Sequence, residues 1–314
     1  MGCYIGGRVA TGAGAIMTRK THDYIAFGVH LVMLIVILVY VVGGRDDVYE
    51  QARLWLIFGV ELISCAFHAW VVAGWYKKSD HRLLHKFWTE TGSTADHWNW
   101  LKWAEYAVTA TMGTISVGIK SARRVDSHRV AGLCVLLAIG GVAQQTSGYY
   151  IDKPDTSNVR RGMLWLGATA WQIVEFVVIV SEWGFKVSAG GPLFVVYASM
   201  WSVFGVIAAF RSLNTANVAI GGFFDLDVTE TLYSAFGWMA KLAVAATTLA
   251  DIVGNSNSQT TNVGYVFAVA VPLVVMAATF GAQYTAKRNG ALARGGAYDV
   301  LTRGGVDARG GNEL

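Results

Sequence analysis

The chain has 314 residues, of which 54% are hydrophobic and 15% charged, with a net charge of +4. That balance excludes a soluble domain with a charged skin, and a charge so small and spread over loops excludes nucleic acid as a partner. The composition is that of an integral membrane protein whose partner is the lipid bilayer, and 12 Trp and 13 Tyr suit interfacial belts and a ligand pocket.

Residues 1–23 lack a continuous apolar core of the kind a cleaved signal peptide carries, so the first span is expected to insert itself. Apolar runs of about 20 residues mark bilayer-spanning helices. Eight are expected, at 24–43, 52–75, 98–119, 128–150, 163–186, 192–212, 229–252 and 263–286. The fold class is therefore an all-α integral membrane bundle: seven helices in one compact unit at 24–252, an extra C-terminal transmembrane helix at 263–286, and a flexible Gly- and Arg-rich tail at 287–314. The longest connection, 76–97, is rich in Lys, His and Trp. Pro192 is placed at a helix start, where its missing N–H costs nothing, and Pro272 is expected to kink the eighth span. Cys3, Cys65 and Cys134 are odd in number and two lie in apolar spans, which reads as packing and not as a disulfide framework. Gly6 breaks the myristoylation signature that Gly2 would begin.

Orientation follows from the loop lysines and arginines. One side gathers Arg8, Arg19, Lys20, Lys77, Lys78, Arg82, Lys86, Lys153, Arg160, Arg161, Arg211 and the basic tail. The other has only Arg45, Arg53, Lys120, Arg123, Arg124, Arg129 and Lys186. The N-terminus is thus expected in the cytoplasm, and the C-terminus as well if the eighth span crosses.

Lys241 stands near the centre of the apolar stretch 229–252. An ammonium at mid-bilayer costs at least about 2.5–3.5 kcal/mol, so such a group is paired, hydrated or chemically modified. Desolvation favours the neutral, nucleophilic amine, which suits a Schiff base with an aldehyde. Glu105 in the third span lies within about 4–5 Å of the same depth. His30 in the first span and His68 in the second fall on the same half, and Glu61, Ser64 and His68 share one helix face at spacings of three and four. Trp103, Trp171, Tyr197, Trp201, Phe204, Tyr233, Phe236 and Trp238 flank the set and match a slot for a long flat polyene, with Tyr106, Thr109 and Met112 as further pocket candidates. Blander readings exist for each residue. A lone buried histidine is commonly a satisfied core group, Glu105 can pair with Lys102 one turn away unless Lys102 snorkels outward, and Lys241 can serve a transporter that binds a carboxylate.

With these residues in view, the chain resembles the heliorhodopsins. KWAEYAVTATMG (102–113) is similar to the family's third helix, and SAFGWMAK (234–241) to its seventh. FGVHLV (27–32) and SCAFH (64–68) match the family's first-helix His and second-helix Ser and His. The resemblance covers 24–252, and the family's N-terminus is cytoplasmic, as the loop charges also indicate. It implies all-trans retinal bound covalently to Lys241 as a protonated Schiff base, Glu105 as counterion, and His30, His68 and Ser64 as the proton-accepting or relaying set. Three departures stand out. Gly237 replaces a Ser common in the family, loop 44–51 is short for the β-structured loop that helps form the family's homodimer, and the eighth span is extra.

The resemblance implies a photoreceptor and not an enzyme, and no P-loop, dinucleotide fingerprint, nucleophile elbow or metal-ligand spacing is present. Many heliorhodopsins transport nothing and read as light sensors, whereas some viral members move protons. Glu61, and Glu175 in WQIVEFVVIV (171–180), are intramembrane acids and so candidate pathway residues. The expected function is light-driven or light-gated proton transport by a viral-type member. The alternatives are a non-transporting photosensor signalling to a cytoplasmic partner, and protonated carboxyls that merely bond helices together.

Overall fold

A computed structural model describes residues 9–76, 100–122, 127–153, 156–182, 187–215 and 226–253, with isolated positions between 270 and 281. The expected eighth span, Pro272, Cys3, most of the 76–97 connection and the tail fall outside this set, those isolated positions apart.

Seven helices make up the described residues: α1 Val9–Gly43, α2 Val48–Tyr76, α3 Trp100–Ala122, α4 Ser127–Asp152, α5 Asn158–Glu182, α6 Val187–Thr215 and α7 Leu226–Val253. Their ends are set by local chemistry. Gly44 follows α1 with φ 69°, the left-handed conformation that closes a helix, and its N–H bonds to Val41 O at 3.3 Å. Asp47 caps α2 by accepting the Tyr49 and Glu50 amides at 2.8 and 3.2 Å. Ser157 opens α5, its carbonyl and hydroxyl taking the Arg161 and Arg160 amides. That start lies five residues before the expected 163, because Arg161 is not a loop residue. It is buried, and its guanidinium donates to Ile151 O and Lys153 O at 2.8 Å, satisfying carbonyls that the end of α4 leaves open. Pro192 likewise falls inside α6, five residues past its first. α1 begins well before the expected 24, although its apolar part spans Thr21–Gly43.

The helices form a closed ring in which each packs on its chain neighbours and α7 returns to α1. Six of the seven are long and apolar enough to cross a membrane. The exception is α3, which touches every other helix except α1 and carries Lys102, Glu105 and Lys120. Such a helix is tolerable in the interior because each of its ions has a partner on another helix. Lys102 meets Asp152 of α4 at 2.9 Å, Glu105 meets Lys241 of α7, and Lys120 meets Asp251 of α7 at 2.8 Å. Conversely, α1 and α5 turn bare apolar side chains outward, among them Val39, Val42, Met163, Leu166 and Val177, as a lipid-facing surface does.

Candidate functional site

The interior is best described from its two ends. At one, the Gly43 end, α1, α3, α5 and α7 finish; at the other, the Asp152 end, α2, α4 and α6 finish. Lys241, mid-way along α7, points at α3, where its Nζ donates to Glu105 Oε1. Ser64 Oγ of α2 donates to the same oxygen at 2.7 Å. Glu105 Oε2 has no hydrogen-bond partner, although the residue is buried. Three helices thus converge on one carboxylate, and half of its accepting capacity is left over. Lys102 does not compete for it. The expectation that Lys102 either pairs with Glu105 or snorkels outward is corrected, because the residue is 4% exposed and held by Asp152, with its ammonium over the Trp103 and Tyr233 rings at 4.6 and 4.4 Å.

Beyond the ammonium lies a cavity of about 580 Å³ between α2, α3, α6 and α7. Lys241 heads it, and its walls include Tyr106, Thr109, Gly113, Thr114, Tyr197, Met200, Trp201, Phe204 and Val244. A side chain at Gly237 would collide with the Tyr106 hydroxyl, which itself donates to Tyr233 O at 2.9 Å. The bare helix there is what lets Tyr106 lie under the lysine.

Six of the aromatic and Met pocket candidates stand elsewhere, Tyr233 among them, packed edge-on against Trp103 at 5.5 Å. Trp103 turns to Asp152, donating its Nε1–H at 2.8 Å. Met112 reaches towards Gly59 of α2, Trp171 is 36% exposed on the outside of α5, Phe236 is packed behind Phe204 at 5.2 Å, and Trp238 lies against the core around Tyr233. Met200, Gly113 and Val244 line the cavity although nothing in their chemistry singles them out.

Beside the Lys–Glu pair, α1 and α2 form an antiparallel ladder. His30 Nδ1 and Glu61 Oε2 are 2.5 Å apart, the His30 and His68 rings stack at 5.5 Å, and His68 Nδ1 lies 3.8 Å from Asp23 Oδ1. Ser234 of α7 donates to the same Asp23 oxygen at 3.0 Å. All four members are 5% exposed or less, and Ser64 sits between Glu61 and His68 on α2. The ladder therefore passes the Lys–Glu pair, from Glu61 on its Gly43 side to His68 and Asp23 towards the Asp152 end. Asp23 was missed by sequence reasoning, because beside His22 it reads as an interfacial residue. Its spacing of seven from His30, two helical turns, was the available signal.

Glu175 belongs to a different cluster. On α5 it accepts from Gln144 Nε2 at 2.8 Å and from the Tyr197 hydroxyl at 3.4 Å, and Trp201 Nε1 donates to Tyr197 at 2.5 Å. The helices α5 and α7 do not touch, so this acid lies across the cavity wall from Lys241 and outside the Glu61 ladder. At the Gly43 end the interior is closed by Arg53 of α2, whose Nη1 meets Asp251 Oδ2 at 2.8 Å and whose Nε donates to Ser116 O at 3.1 Å, with Lys120 on the other Asp251 oxygen.

A ring of seven helices with a buried lysine, a carboxylate and an apolar cavity in its middle defines an integral multi-pass membrane protein of rhodopsin fold. Two solved structures share that fold. A thermophilic rhodopsin matches with a TM-score of 0.59 at 12% identity, covering 76% of this chain and 94% of its own. A cyanorhodopsin from a Calothrix cyanobacterium matches with a TM-score of 0.50 at 12% identity, covering 80% of this chain and 98% of its own. No family model matches the sequence, and no curated protein does.

Proposed function

We propose that this chain is a light-absorbing retinal protein of the heliorhodopsin type, a viral-type member that moves protons when illuminated. The observation that carries the reading is the Lys241–Glu105 pair at the head of the apolar cavity. The residues present fit the group. A long apolar cavity starts at a buried amine, its wall includes Tyr197, Trp201 and Phe204, and Glu105 Oε2 is an unused acceptor at the same point. Retinal linked to Lys241 would supply a visible chromophore that changes shape on absorbing light.

The chain's own residues would do the rest. Glu105 balances the positive charge on Lys241, and Ser64 holds that carboxylate in place. Opposite charges at this separation attract strongly in a low-dielectric interior. A proton released there meets the ring nitrogens of His30 and His68, each beside a carboxylate, Glu61 and Asp23. With the N-terminus in the cytoplasm, that ladder leads to the cytoplasmic face.

The alternative, a non-transporting photosensor that signals through a cytoplasmic partner, is favoured by the buried Arg53–Asp251–Lys120 group between the cavity and the Gly43 end. A proton released at the Lys241–Glu105 pair would then go out and return on one side.

One preparation tests both. The chain expressed with all-trans retinal should absorb visible light, and Lys241→Ala should abolish the colour; a colourless parent overturns the pigment reading. Under voltage clamp, illuminated cells should pass a proton current that Glu61→Gln diminishes. A coloured protein without photocurrent at any voltage leaves the sensor.

A further inference from the structure

A second cavity, of about 490 Å³, lies across Trp201 and Phe204 from the first, and those two rings are walls of both. Its character differs. Gln144, Gln145, Thr169 and Gln172 face it, so amide and hydroxyl groups are gathered in a space otherwise bounded by aromatic rings and small or aliphatic residues. It extends towards the Asp152 end, because Ile151, next to the last residue of α4, also lines it. From Ile151 back to Gln144 is seven residues, about 10 Å of helix.

Gln144 connects this space to a carboxyl. Its Nε2 donates to Glu175 Oε2 at 2.8 Å, while Glu175 is 0% exposed and its Oε1 has no hydrogen-bond partner. Gly140 makes room for that oxygen, since any side chain there would collide with it. A buried acid is thus one hydrogen bond away from a cavity with amides in its lining, and it touches the lysine-centred site only through the Tyr197 hydroxyl.

We propose that the second cavity is a hydrated chamber, reached from the Asp152 end, through which Glu175 exchanges protons with water. A buried water needs two to four polar partners, and the three amides and one hydroxyl supply them in a space with room for a few waters. The inference depends on the proton-transport reading only for the use made of the proton; hydration belongs to the protein without any chromophore.

The experiment follows that separation. Cys3, Cys65 and Cys134 are replaced by Ser or Ala, and Glu175→Cys or, should that variant not fold, Gln144→Cys is introduced. Vesicles holding the protein without retinal are exposed on each face in turn to a charged methanethiosulfonate, which reacts with thiolate in contact with water. Labelling is expected from one face only, about a hundredfold faster than at the lipid-facing control Val177→Cys. A side chain at Gly205 has room, its Cβ meeting only Gln172 Oε1 at 3.7 Å, so Gly205→Leu fills the chamber and should slow labelling about tenfold. Labelling no faster than the control overturns the proposal. So does labelling that neither Gly205→Leu nor Ala168→Leu slows. Neither result bears on whether the loaded protein is coloured.

Discussion

Lys241 and Glu105 are two charges that burial makes dependent on each other. Removing one partner of a buried pair strands the other and costs about 3–5 kcal/mol, whereas replacing both by apolar residues of similar volume is often neutral. In the protein without chromophore, Glu105→Gln should therefore lower unfolding stability by about 3–5 kcal/mol, and Lys241→Met with Glu105→Leu should recover most of it. Denaturation in mixed micelles measures both, and a Glu105→Gln variant as stable as the parent would mean that Lys241 finds its anion elsewhere. The pair itself was legible in the sequence, because an ion in an apolar run is rare and two at one depth attract notice. Asp152 and Asp251 were not legible, since each lies near a helix end and reads as interfacial. Yet one holds Lys102 and Trp103, and the other holds Arg53 and Lys120.

At the scale of helices, what lipid conceals is rotation. In water an apolar stripe marks the inward face, but in a bilayer the outward face is apolar too, so periodicity locates a span without orienting it. That is why Trp171 was assigned to the pocket yet faces outward, and why Met112 and Phe236 were misplaced by part of a turn. Small residues carry the missing information. A Cβ on Gly148 of α4 would run into the Trp103 ring of α3, a rigid neighbour that cannot swing away, while a Cβ on Gly132 of the same helix meets nothing. Gly148→Ala should thus cost about 1–3 kcal/mol by overpacking, and Gly132→Ala should stabilise by up to about 1 kcal/mol through helix propensity. The two substitutions are chemically identical, so thermal unfolding of both separates packing from propensity; equal effects would mean that α3 and α4 are not in such close contact.

Across the whole molecule the ionic contacts are unevenly placed. His30–Glu61 joins α1 to α2, Arg53–Asp251–Lys120 joins α2, α3 and α7, Lys102–Asp152 joins α3 to α4, and Lys241–Glu105 joins α3 to α7. Among the described residues, α5 is tied to α4 by hydrogen bonds from Arg161 to Ile151 O and from Gln144 Nε2 to Glu175, and to α6 by Trp165 Nε1 to Gly205 O at 2.9 Å and the Tyr197 hydroxyl to Glu175. Burial sets α5 apart, with 11% of its span inside the protein against 39% of the α2 and α6 spans and 67% of the α7 span. Regions with fewer buried contacts open locally at lower free energy than the global value. In hydrogen exchange on the protein in nanodiscs, amides of α5 and α6 should therefore exchange at least about tenfold faster than those of α2, α3 and α7. The cavity wall formed by Tyr197, Met200, Trp201 and Phe204 belongs to α6, while the Lys–Glu–Ser site belongs to α2, α3 and α7. Adding retinal should consequently slow exchange more in α6 than in α2, because a ligand protects most where the unliganded protein opens. Uniform exchange across the seven helices, or fastest exchange in α3 and α7, would contradict a rigid reactive half facing a softer wall.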